Sequence, residues 1–162
     1  MISTTSKSNS LPDLLYRSRF IIALLLSLVL LLMSCSKSQI IAQAINDAQK
    51  YFEDNVLNRD FQVKLATDNG SDLTAQYSGY LFRLTKNTYY DGPLTATSGS
   101  TVYSGTWSSN EDYSKLVINL PALPAEFVFL NREWRFTSKV LPVLKLAPWG
   151  TTEPKVLHME RL

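Results

Sequence analysis

Phe61-Gln62-Val63-Lys64-Leu65-Ala66-Thr67-Asp68-Asn69-Gly70 alternates apolar and polar residues along most of its length and then stops at a turn. Phe61, Val63 and Leu65 are expected to face one way and Gln62, Lys64 and Ala66 the other, the period of two that a half-buried strand requires. Asn69-Gly70 tolerates positive φ at both positions and so favours a tight hairpin. Asp68 to Asp72 also begins like a calcium loop. However, Gly70 and Gly79 stand where such a loop needs an oxygen ligand and a bidentate Glu, so a turn is expected and no metal.

The same rhythm continues downstream. Leu73–Tyr77 reads as a short helical turn or loop. Tyr80, Phe82 and Leu84 alternate with Leu81, Arg83 and Thr85. Thr88–Tyr90 and Leu94–Thr97 read as one strand interrupted at Asp91-Gly92-Pro93, since Pro lacks a ladder donor. Thr101–Ser108 places Tyr103, Gly105 and Trp107 on one face, with Gly105 leaving room for an aromatic over bare backbone. Leu116, Ile118 and Leu120 point inward, Phe127–Leu130 forms a buried turn, and Trp134, Phe136, Ser138 and Val140 share a face. Val143–Ala147 and Lys155–Arg161 complete the set.

These segments follow one another through short turns, without the crossovers of a dozen residues that parallel pairing needs. The fold class is therefore mainly β. About eight short strands in an antiparallel up-and-down meander curl into a small barrel or half-barrel, because closure removes exposed edges.

Residues 39–58 differ. Ile41, Ile45, Ala48, Phe52 and Val56 recur at helical spacing, and Asn58 or Asn55 can end the helix. Its apolar face either packs on the core or covers a cavity mouth. Upstream, residues 1–34 carry Lys7, Arg17 and Arg19 against the single acid Asp13. The 14 residues from Phe20 to Met33 contain one polar residue, Ser27. A spanning helix needs about 20 apolar residues and a secretory signal about 7–15, which favours the signal.

Leu32-Met33-Ser34-Cys35 then resembles the lipobox of bacterial lipoproteins, with an aliphatic residue three before the Cys and a small one just before it. The resemblance implies cleavage before Cys35, a diacylglycerol on its thiol, and an acyl chain such as palmitate on its amine. Cys35 would then hold the chain to a lipid bilayer through residues 35–38. Ser36-Lys37-Ser38-Gln39 lacks an acid next to the Cys, which implies the outer membrane, facing the periplasm of a bacterial cell envelope.

From Phe61 to Leu162 the chain resembles the lipocalin-like lipoproteins of bacterial envelopes. The residues that carry the likeness are Phe61-Gln62-Val63, Asp72-Leu73-Thr74, Tyr80-Leu81-Phe82, Ser104-Gly105-Thr106-Trp107, Leu116-Val117-Ile118, Glu133-Trp134, Leu144–Leu146 and the closing Val156–Arg161. It implies a lipocalin-like β domain over residues 59–162. Its Gly-x-Trp lies mid-chain, not at the first strand, so the likeness extends to the fold rather than to a ligand.

Composition narrows the function classes. The 162 residues include 16 Lys and Arg against 14 Asp and Glu, too even for a nucleic-acid partner. One Cys and one His exclude a disulfide framework and a Cys/His zinc site. No nucleophile elbow, phosphate-cradling loop or dinucleotide fingerprint appears, and His158, between Leu157 and Met159, is expected to be structural. The expectation is a non-catalytic module without a cofactor that binds a small apolar ligand through Tyr80, Phe82, Tyr103, Trp107 and Trp134. The alternative is a scaffold that docks an envelope protein through the Pro148–Pro154 loop. Its Trp149 either folds back as a staple or stands out as a contact.

Overall fold

The computed structural model describes the backbone of residues 11–162 and the side chains of residues 19, 21–27 and 37–162. The start of the expected leader and the Cys35 side chain, the expected lipid acceptor, lie outside the described residues. The chain divides into two units between Gln43 and Ala44.

Helix α1 spans Leu11–Asn55. In the first unit Ile21, Leu24, Leu26, Ile40 and Ile41 are exposed. Within the second unit the expected packing face joins the core at Ala48, Phe52 and Val56, with Ile45 half-buried. Among the described residues no helix is long and apolar enough to cross a membrane. Asn58, at φ 58°, turns the chain out of the helical region after α1, and its N–H donates to the Leu84 carbonyl at 2.8 Å. Asn tolerates this left-handed conformation better than most residues.

In the second unit, β1 (Asp60–Asp68), β2 (Ser71–Asp72) and a 3-10 turn (Thr74–Tyr77) come first. Next are β3 (Tyr80–Leu84), β4 (Asp91–Ser98), β5 (Thr101–Ser109) and β6 (Lys115–Asn119). A short helix α2 (Phe127–Leu130) precedes β7 (Glu133–Ser138), β8 (Val143–Pro148) and β9 (Lys155–Arg161). Every pairing is antiparallel. From β3 to β9 each strand lies beside the next in chain order, and β1 pairs with both β3 and β9. The wall is thus an eight-stranded antiparallel barrel, consistent with a lipocalin-like fold, and β2 is a short flap on β1. The hairpin at Asn69-Gly70 has φ of 50° and 82°, the positive pair its sequence called for.

The core contains both expected kinds of inward residue. Phe61, Phe82, Leu84, Leu94, Leu116, Ile118, Leu144, Leu146, Leu157 and Met159 come from the strands, while Phe127, Phe129 and Leu130 come from α2. Phe52 of α1 lies 5.4 Å from Trp107, 4.6 Å from Tyr113 and 6.3 Å from Phe136, ring centre to ring centre.

Four details depart from simple alternation. The β1–β9 register slips between Val63 and Leu65, a bulge that turns Ala66 fully inward where Leu65 was expected. A second slip between Phe136 and Ser138 ends β7, and Val140 is exposed instead of sharing the Trp134 face. β4 is continuous through Gly92-Pro93, and 88–90 is a bend rather than its first half. Pro93 faces outward there, and its carbonyl accepts the Thr85 N–H at 2.9 Å.

The fourth concerns Gly105. The space left by its missing Cβ, expected to admit an aromatic, is taken by the end of β6. A Cβ on Gly105 would meet the Asn119 carbonyl oxygen at 2.2 Å and the Leu120 Cα at 3.0 Å. Both are backbone atoms and cannot swing aside. Gly105→Ala should therefore destabilise the fold by about 2–3 kcal/mol in urea unfolding. Ser104→Ala, on the exposed face of the same strand, should change it by less than about 0.5 kcal/mol.

Candidate functional site

The connections 85–90, 110–114 and 139–142 and the start of β1 lie at one end of the barrel, as an up-and-down order requires, and the last turns of α1 pack there. Phe52 enters the core, but the preceding turn presents only Ala48, which leaves space beside it. The result is a concavity of about 550 Å³, lined by Ala48, Tyr51 and Phe52 of α1, Tyr113 after β5, and Lys139, Val140 and Leu141 after β7.

Two phenols fix its walls. The Tyr51 hydroxyl donates to the Lys139 carbonyl and the Tyr113 hydroxyl to the Tyr89 carbonyl. The first joins α1 to the β7–β8 connection and the second joins two neighbouring connections. Burial pushes the Tyr113 phenol up to about 12, helped by Tyr90, Glu53 and Tyr89, so it remains a donor at neutral pH. Both hydroxyls are engaged, and the rings are what these tyrosines offer a ligand.

Lys139 is the charged member. Its ammonium lies 5.3 Å from the Phe136 ring centre, a cation–π contact. Burial holds it below the usual lysine range, partly opposed by Asp112. Among the described residues no carboxylate comes within 4.0 Å of it. The chemistry available is thus an apolar cleft with one cation, Lys139, among its lining residues.

Of the five residues singled out in the sequence, three share one aromatic neighbour and the two tryptophans have others. Tyr80, Phe82 and Tyr103 gather around Phe127, with Tyr80 and Tyr103 each slightly over 5 Å from its ring centre. The Tyr80 hydroxyl donates to Glu126 Oε1 at 2.9 Å. Trp107 sits at the α1 end, its indole N–H donating to the Thr85 carbonyl at 2.7 Å. Trp134 stacks near Phe129 and donates to the Leu130 carbonyl at 2.9 Å. Four of the five are buried and Tyr103 is half-buried. Sequence reasoning missed Tyr51, Lys139, Val140 and Leu141. The available signal was Leu141-Pro142, a punctuation after an aromatic strand, facing a helix with Ala48 in its apolar row.

Trp149 lies on the β8–β9 loop, at the barrel end opposite α1. It is 37% exposed, the Lys115 ammonium is 5.5 Å from its ring centre, and its backbone N–H donates to the Glu133 carbonyl at 2.9 Å. A second concavity of about 420 Å³ beside Asn87, Asp91, Gly92 and Trp107 is more polar at its rim. Among the described residues no group of His, Cys, Asp and Glu could hold a metal ion. Compared with known proteins, the chain matches no family model, no curated protein and no solved structure.

His158 is half-buried on β9, opposite Leu65 on β1 and Lys145 on β8. Burial lowers its pKa, and the charges of Lys145 and Lys64 lower it further. The unfolded chain therefore takes up a proton near pH 6.5 while the folded chain still resists it, so stability is lost as pH falls below that point. The melting temperature should drop between pH 7 and pH 5, and His158→Gln should flatten that part of the profile. Asp68, Asp72, Asp112 and Glu160 are lowered chiefly by hydrogen bonds from Lys155, Thr74, Ser114 and Lys64 respectively. Their contribution disappears only nearer pH 4, in both proteins.

Proposed function

We propose that the protein is a membrane-tethered, non-catalytic binding module of the bacterial cell envelope, and that the cleft beside α1 takes a small apolar ligand. The observation that carries this is the cleft of about 550 Å³ walled by Ala48, Phe52, Val140 and Leu141. Ligand pockets commonly measure about 300–1,000 Å³ and pair apolar walls with few polar groups. The aromatics first considered as ligand contacts serve in this reading to hold the wall that shapes the cleft. A non-catalytic role accords with His158, which burial and the charges of Lys145 and Lys64 hold in its neutral form. Docking of an envelope protein through Trp149 is the second reading. It is favoured by the partly exposed ring of Trp149 on the β8–β9 loop, outside the lining of the cleft.

Replacing Ala48 with Trp fills the cleft from a position that is only half-buried. The neutral fluorophore N-phenyl-1-naphthylamine should bind the natural chain and bind Ala48→Trp at least about tenfold more weakly, with the melting temperature unchanged within a few degrees. Equal binding by both would remove the proposal.

The tether is supported by the order of basic region, apolar run and Leu32-Met33-Ser34-Cys35. Two or more acyl chains anchor stably where one is marginal, since each buried methylene contributes about 0.8 kcal/mol. In a bacterial host, Cys35→Ser should abolish incorporation of labelled palmitate and shift the protein out of the washed outer-membrane fraction. Continued labelling would show the lipid to be elsewhere or absent.

A further inference from the structure

We infer that the ligand of the α1 cleft is a single-chain amphiphile with a carboxylate head, its chain lying against Ala48, Phe52, Val140 and Leu141 and its head meeting the Lys139 ammonium. This rests on the apolar-ligand reading above and adds the head group to it.

The first ground is the charge inventory of the cleft. Lys139 is the sole ionised group of the lining, half-buried, with no carboxylate within ion-pairing distance among the described residues. A partly desolvated cation gains most from an anion brought to it, and charge-assisted hydrogen bonds are about twice as strong as neutral ones. The second ground is the direction of hydrogen bonding. Tyr51 and Tyr113 already donate their hydroxyls to carbonyls of Lys139 and Tyr89. The remaining side-chain donor capacity of the lining is therefore that of one ammonium, which suits a head of acceptor oxygens.

The third ground limits the charge of that head. Asp112, exposed on the β5–β6 connection, is close enough to favour the charged form of Lys139. A phosphate monoester brings nearly two negative charges to one cation beside a fixed carboxylate, whereas a carboxylate brings one. The site thus selects for a monoanion as well as for an aliphatic tail.

Octanoate, octanol and octyl phosphate separate these features, because the chain is constant and only the head changes. Equilibrium dialysis of the full chain, in one nonionic detergent and against detergent alone, gives the protein-bound fraction of each. The natural chain should hold octanoate about tenfold more tightly than octanol, and octyl phosphate less tightly than octanoate. Lys139→Gln should bring octanoate down to the level of octanol and leave octanol unchanged, while Lys139→Arg should keep the preference. Only the side chain changes in these variants, so the Tyr51 bond to the backbone carbonyl at position 139 is retained, and an unchanged melting temperature checks this. If neither octanoate nor octanol is held, the apolar-ligand reading and the head-group inference fall together. Equal retention of the two by the natural chain overturns the head group alone. So does preference for octyl phosphate, and a preference that survives Lys139→Gln overturns the role of Lys139.

Discussion

The structure depends on the pairing of its first strand with its last. β1 lies antiparallel to β9 from Phe61 opposite Arg161 to Asp68 opposite Lys155. Without it both strands would present unpaired edges, and the inner faces would lose the curvature that encloses them. The opposite side of β1 has no such continuous ladder: Thr67 and Asp68 pair with the short β2, while Asp60 and Phe61 pair with β3. There Arg83 grips Asp60 with two nitrogens, at 2.8 and 2.5 Å. Both side chains are substantially exposed, so solvent screens this pair and it adds little to closure. Closure therefore rests on the β1–β9 ladder and on the apolar side chains behind it.

Closure also fixes what the aromatic residues do. An eight-stranded barrel is just wide enough to be filled by its own side chains. Trp107 and Trp134 each place a ring inside and satisfy the indole N–H on a nearby carbonyl, which removes the main penalty of burying them. Tyr77 and Tyr80 do the same through Glu126, the former donating to its carbonyl and the latter to its carboxylate. Burial then pushes the Tyr80 phenol up to about 12, with Glu126 adding to the shift. Inside the wall, aromatic density serves cohesion, and the concave surface with a free charge is found at the rim.

That division explains which features were legible in the sequence. Period-two alternation marked β3, β5, β6, β8 and β9 correctly, because in each the large residues of one face are buried in phase along the strand, even where Leu81 and Val102 point outward. It failed at Ala66 and Val140, where a bulge changes the phase; a bulge adds one residue to one strand and leaves no mark in composition. Gly105 was noticed for its missing Cβ, but the atom filling that space belongs to Asn119, fourteen residues away in the chain and adjacent only after β5 and β6 pair. The cleft was the least legible part. It combines Ala48 and Tyr51 with Lys139 and Leu141, far apart in sequence and joined by a bond to a backbone carbonyl, which no side-chain pattern encodes.

The position of Ala48 shows how the helix and the cleft depend on each other. Phe52, one turn later, places its ring against Trp107 and Tyr113, and this anchors the end of α1 to the barrel. A residue as large at position 48 would extend the same packing and leave no cleft. Ala makes the opening without disturbing the anchor, and Tyr51, between the two, ties the helix to the connection that carries Lys139. Packing, hydrogen bond and charge thus converge on one short helical segment. A change in how that segment sits would alter the walls of the cleft and the placement of its only cation together.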